Sequence, residues 1–207
     1  MKIFDTEGFP NPARVRMALA EKNATEQVEF IPVDVMNGEH RSDPFRAKNP
    51  DATVPYAELP CGTCISQCTA ITEYIDGAFD GPTLIGQTPK QRAKTHMMNL
   101  RAEAGLVDAV GAYFHHATPG LGPDLETDQN AQWGLTKKET AQHTMRYLDS
   151  VLAESKYLAG DDFTMADITA FAGLAFADFA KVDIPDDLTH LLSWRETVGK
   201  RPSIATG

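Results

Sequence analysis

Every run of this chain that favours an extended backbone lies before residue 67, and the remaining two thirds carry helical periodicity alone. Residues 2–5 (Lys-Ile-Phe-Asp) form a short strand candidate, and 28–33 is a second run rich in β-formers. Between them the turn Glu7-Gly8-Phe9-Pro10-Asn11-Pro12 leads into 14–22, where Val15, Ala18 and Leu19 recur at helical spacing. Asn11 before Pro12 reads as a helix start, a capping side chain followed by a proline that needs no N–H in the first turn. A short helix over 42–48 is stopped by Asn49-Pro50. Strands over 55–59 and 63–66 flank the hairpin turn Pro60-Cys61-Gly62, and a helix over 67–76 follows on Ala70, Ile71, Tyr74 and Ile75. The order β-α-β and then β-β-α is that of a small thioredoxin-like domain, placed at 1–78.

Residues 77–89 hold three glycines and two prolines, so 79–89 reads as a linker. Beyond it, 90–207 reads as an all-α domain with helices near 90–116, 137–154, 164–182 and 187–199. The third is apolar nearly all round (Ala166, Ile168, Ala170, Phe171, Leu174, Ala175, Phe176), which makes it the buried centre of that domain. Its start is marked by Thr164 with Asp167 three residues on, a capping box, and Phe163 is placed to pack on Ile168. The fold class expected is therefore an α/β domain followed by a helical one.

No stretch approaches the ~18 uninterrupted apolar residues of a membrane helix, and Asp5 interrupts the start where a signal peptide would stay apolar. A cytoplasmic location is the expectation. The net charge of -10 argues against nucleic acid as a partner. That charge is uneven, with -1 on residues 1–50 and -9 on the rest, so a small anion meets far less repulsion at the front of the chain. Cys61, Cys64 and Cys68 are too few and too clustered for a disulfide framework. Cys61 and Cys64 have redox-motif spacing but fall on the hairpin, away from the helix N-terminus that such a pair needs. His115 and His116 are adjacent, hence about 100° apart on a helix, and cannot share a metal as an i, i+4 pair does. No metal is predicted.

Two places can hold a ligand by its main chain. Thr53-Val54-Pro55 enters a strand through an X-Pro bond, the bond type that adopts cis, which would aim backbone groups at a peptide-like partner. Ser66-Gln67-Cys68 runs from a strand straight into a helix whose positive end faces outward. There Gln67 can accept from an ammonium and the Cys68 N–H can serve a carboxylate, the two demands of an α-amino acid head group.

With Val54-Pro55 twelve residues before Gln67, this part of the chain resembles the cytosolic glutathione transferase family. That family's signature is Val-Pro, a hairpin, then Glu/Gln-Ser-x-Ala-Ile before a helix ending in Tyr-Ile/Leu; here it stands as Val54-Pro55, Gln67-Cys68-Thr69-Ala70-Ile71 and Tyr74-Ile75. Residues 11–22, the segment Gly38-Glu39-His40-Arg41-Ser42 with Asn49-Pro50, and 160–167 (GDDFTMAD) match further parts of the family pattern in order. The resemblance implies glutathione as co-substrate, held by Thr53, Val54, Pro55, Gln67 and Cys68, with His40 and more weakly Lys48 at the glycine carboxylate. It also implies a homodimer.

Conjugation needs the thiolate, and a free thiol of pKa about 8.5 is only a few per cent ionised at pH 7. The usual hydroxyl position of the family falls on Phe9, which cannot donate. One branch, the nu class, carries Thr-Pro-Asn-Gly in this turn, and Phe9-Pro10-Asn11-Pro12 resembles it. Asn11 is thus the catalytic candidate, its NH₂ aimed at the sulfur, with helix capping as the competing role; Thr6 and Arg14 are fallbacks. Phe9, Tyr113, Phe114, His116 and Trp133 are candidates for an apolar acceptor pocket. The activity implied is addition of glutathione to small, largely apolar electrophiles. A glutathione-dependent disulfide or peroxide reductase using Cys68, or a non-catalytic glutathione-binding protein, stays open beside it.

Overall fold

Four short strands form one sheet in the order β2-β1-β3-β4 in the computed structural model of the chain, which describes residues 1–205. β1 (Lys2–Asp5) runs parallel to β2 (Glu29–Pro32) and antiparallel to β3 (Tyr56–Glu58), which forms a hairpin with β4 (Cys64–Ser66). Side chains alternate across this sheet. Ile3 and its partner Ala57 are fully buried on one face, as are Val15 and Leu19 of α1 (Pro10–Glu21) and Ile71 and Ile75 of α3 (Cys68–Ala78), two helices that pack on each other. On the other face Phe4 stacks on Tyr56 with centroids 4.4 Å apart, and Phe45 of α2 (Asp43–Arg46) meets Tyr56 edge-on at 5.1 Å. The thioredoxin-like order of elements is thus present, with a 3-10 turn at Glu39–Arg41 before α2.

One expected cap is corrected. α1 begins at Pro10, with Phe9 in the N-cap position and no side-chain capping bond, so Asn11 lies inside the first turn. Pro10 explains the shift, because its fixed φ suits the first helical position and its missing N–H is one the helix end leaves unpaired.

Contacts divide the chain into Met1–Leu84 with the segment from Pro202, and Ile85–Arg201. The first half of the expected linker is strapped to the first unit. Asp76 at the end of α3 accepts from Leu84 N–H (2.7 Å), from the Thr83 hydroxyl (3.0 Å) and from the Lys22 ammonium (3.0 Å). Lys22 also donates to the Pro82 carbonyl at 3.1 Å. The last turn, α9 (Pro202–Ala205), packs on α1, where the Ser203 hydroxyl donates to Glu21.

In the second unit, the helix expected over 90–116 is one helical run with a wider turn inserted. α4 (Pro89–Ala102) passes through a π turn at Glu103–Val107 into α5 (Asp108–Ala117). At Gly105 a Cβ would lie 2.4 Å from the Thr144 hydroxyl, so the backbone here admits a side chain of α6 (Ala131–Leu152) where any larger residue would collide. α6 starts six residues earlier than periodicity predicts, because Asn130 Oδ1 accepts from Trp133 N–H at 3.0 Å and caps it. α7 (Met165–Phe179) is the buried centre, packed against α4, the π turn and α5, and its capping box between Thr164 and Asp167 is formed as expected. Asp167 carries more than the box: besides Thr164 it accepts from Leu158 N–H (3.0 Å) and from the Trp194 indole of α8 (Thr189–Gly199) at 3.2 Å. Among the described residues no helix is long and apolar enough to cross a membrane.

Candidate functional site

Register brings three chain junctions to one end of the sheet. Phe4 lies opposite Tyr56, and Tyr56 opposite Ser66, so the end of β1, the start of β3 and the end of β4 are level. The β1–α1 turn, Val54-Pro55 and the Gln67–α3 junction therefore open at the same edge. The positive ends of α1 and α3 are there too, as an anionic ligand requires.

At the first junction Asn11 is held from two sides. Its Oδ1 accepts from Arg14 Nη1 at 3.0 Å, and its backbone carbonyl accepts from the thiol of Cys68 at 3.4 Å. Arg14 and Cys68 are both buried. The fallback hydroxyl is corrected: Thr6 donates to the Val33 carbonyl at 2.8 Å, so its proton is used within the fold. Phe9 is half-buried and supplies no donor from its side chain.

At the second junction the Val54-Pro55 bond is cis. Among the described residues neither the N–H nor the C=O of Val54 has a hydrogen-bond partner, whereas the Thr53 carbonyl accepts from the buried Asn49 amide at 2.7 Å. At the third, Gln67 takes φ 71° and ψ 121° ahead of α3. Its Nε2 donates to Asp51 Oδ2 at 2.8 Å, which leaves Oε1 and the Asp51 carboxylate as neighbouring acceptors. Asp51 carries no sequence signal of its own, because an aspartate two residues after Asn49 gains a role only when the loop folds back to Gln67.

The two basic candidates behave differently from each other. His40 is 9% exposed, and its Nδ1 has no partner among the described residues. Burial, then the charges of Arg41 and Arg46, lower its pKa from the usual 6.5, so it is a neutral imidazole at pH 7 and offers an N–H, not a charge. Lys48 is taken up by an ion pair with Glu58, which raises its pKa, and its ammonium lies over the Phe4 ring. It is not a lone cation waiting for a carboxylate.

In the second unit Phe114 sits in an aromatic cluster with Phe176 and Phe179, each at 5.6 Å, and Phe179 is 71% exposed. Tyr113 faces the Lys138 ammonium. His116 Nδ1 accepts from Asn130 N–H at 3.1 Å, which puts its proton on Nε2, and its ring meets Trp133 edge-on at 4.7 Å. His115 Nδ1 is 2.6 Å from Glu126 Oε1, a pairing with a distant carboxylate that periodicity did not show. Cys61 and Cys64 lie on the hairpin as free thiols, Cys61 bonded to the Thr63 hydroxyl at 3.3 Å, which lowers its pKa. A groove of about 540 Å³ lies at the opposite end of the sheet, lined by Lys2, Glu29, Glu58 and Gly62 among others, and includes none of the candidate residues.

An α/β sheet whose open edge gathers a proline-led strand start and a helix tip, joined to a helical unit built around a capped central helix, is the fold of one enzyme family. The chain belongs to the glutathione S-transferase family, transferases that take glutathione as substrate. The family's N-terminal domain model matches residues 1–77 and its C-terminal domain model residues 115–206. Glutathione S-transferase 2 of Saccharomyces cerevisiae is 52% identical over 99% of this chain and 88% of its own length. The crystal structure of Gtt2 from the same yeast superposes with a TM-score of 0.97 at 51% identity, covering 99% of both chains. A glutathione S-transferase domain-containing protein of Marinobacter aquaeolei superposes equally well, with a TM-score of 0.97 at 70% identity over 99% of this chain and all of that one.

Proposed function

We propose that this transferase adds the glutathione thiolate to small, largely apolar electrophiles, with Asn11 as the group that stabilises the thiolate. The observation that carries the reading is the Asn11 amide, whose oxygen is occupied by Arg14 and whose NH₂ is its remaining polar face, at the positive end of α1. Glutathione is bound through the Val54 backbone in β-strand fashion, with its γ-glutamyl ammonium on Gln67 and Asp51 and its head-group carboxylate at the tip of α3. The glycine carboxylate is received by His40 through an N–H. Phe9 and, separately, Tyr113, Phe114 and His116 are the side chains assigned to the acceptor.

The reductase reading rests on Cys68. Its thiol is 5% exposed and donates to the Asn11 carbonyl, a structural use that favours the transferase reading. Exposed Met97 and Leu100 on α4 support a homodimer.

The test is steady-state kinetics with a chloronitrobenzene and, in parallel, hydroxyethyl disulfide. Turnover of the first is expected to predominate, and Asn11→Ala is expected to lower its kcat/KM about 10- to 100-fold, the worth of one hydrogen bond to a charged group. Glutathione affinity by calorimetry should stay within a few-fold. An Asn11→Ala enzyme of wild-type kcat/KM would remove Asn11 from the mechanism, and turnover of the disulfide alone would favour the reductase.

A further inference from the structure

We propose that Arg14 is a positioning residue that decides which end of the Asn11 amide faces the bound thiol, an inference that rests on the reading of Asn11 given above. A carboxamide has an acceptor end and a donor end of nearly equal size, and only its surroundings decide which points where. A guanidinium has five N–H donors, no acceptor, and does not lose its charge in proteins. An NH₂ turned toward Arg14 would set donor against donor. Nη1 of Arg14 instead takes Asn11 Oδ1 at 3.0 Å, from a side chain only 3% exposed. Little water reaches that contact to compensate a reversed amide.

The planar amide then has no choice about its other end, and both N–H groups of Nδ2 turn away from Arg14. The two residues are three apart on α1, neighbours on one helical face. The backbone is anchored as well, through the Cys68 thiol donating to the Asn11 carbonyl at 3.4 Å. Two interior groups, one from each of the helices that frame the site, thus hold both oxygens of Asn11. Without Arg14 the amide is free to turn over, and the contact with the sulfur changes sign, from N–H donors that stabilise a thiolate to lone pairs that repel it.

The experiment reads the thiol pKa of enzyme-bound glutathione from the ultraviolet absorbance of the thiolate, with the pH profile of kcat/KM as a second readout. Arg14→Lys keeps a side chain that can only donate, and is expected to leave the bound-thiol pKa near wild type. Arg14→Gln introduces a side chain that can accept, and is expected to raise it by about 1, roughly tenfold less thiolate at a pH below the pKa. Arg14→Met gives the same reading should Arg14→Gln not yield folded protein. In an Asn11→Ala background neither change should raise the pKa further. An equal rise in that background would overturn the proposal, since Arg14 would then act on the sulfur directly as a charge. So would an unchanged pKa in Arg14→Gln and Arg14→Met when Asn11→Ala alone raises it. If Asn11→Ala itself leaves the pKa unchanged, the reading of Asn11 fails, and the positioning role fails with it.

Discussion

Gln67 pays a conformational cost for its position. A non-glycine residue at φ 71° and ψ 121° sits outside the regions open to L side chains, and such a residue costs of order 1–3 kcal/mol. Its side chain is exposed and, among the described residues, bonded to Asp51 alone, so local packing does not offset that strain. The contact with glutathione proposed above for Gln67 would give a reason for it. Gln67→Gly should therefore raise stability, by about 1 kcal/mol after the entropy of glycine is allowed for, while weakening glutathione binding. Urea denaturation beside calorimetry would test this, and a variant that loses both stability and affinity would show that Gln67 is not strained. The identity of Gln67 and its place before a helix were legible from sequence. Its backbone strain and its pairing with Asp51 were not, because both depend on where the 47–53 loop lies.

At the scale of elements, caps decide where helices begin, and their sequence signals differ in strength. Thr164 and Asp167 were legible because both partners of the box lie within one turn. Asn130 carries a weak signal because the residues that follow it show little apolar periodicity, and Asn11 does not cap because Pro10 starts the helix itself. Asp167 also shows what local pattern omits. Its carboxylate is fully buried and accepts from four donors, and burial outweighs those hydrogen bonds, pushing its pKa up to about 6. A carboxyl whose pKa is higher folded than unfolded favours folding most when protonated. Its contribution is full below pH 4 and falls as pH rises to about 6, by roughly 3 kcal/mol. The stability advantage of wild type over Asp167→Asn should thus be largest near pH 4 and shrink by about that amount by pH 7. Denaturant titrations at several pH values would check it, and a difference constant with pH would refute the linkage.

At the scale of the molecule, the buried pair of Lys22 and Asp76 ties α1, α3 and the chain leaving α3 into one unit. The side chains are 3% and 7% exposed, so removing one partner strands a buried charge. Lys22→Met should destabilise the protein by about 3–5 kcal/mol and expose 79–84 to proteolysis. A loss below about 1 kcal/mol, with the segment still protected, would mean that Asp76 holds the strap without its cation. Lys22 and Asp76 are 54 residues apart, so no window of sequence could pair them.

The chain by itself determined most of its secondary structure, the segregation of strands from helices, and the motifs that mark its family, because each of these depends largely on neighbours within a turn or a hairpin. Only the tertiary structure decided which polar groups remain available for chemistry. Thr6 is closed off by Val33, Lys48 is claimed by Glu58, and His40 is stripped of its charge by burial, while the amide oxygen of Asn11 is taken by Arg14. The physical reason is common to all four. A side chain's chemistry is set by the partners and the solvent that the fold brings to it, and a linear pattern of residues shows neither.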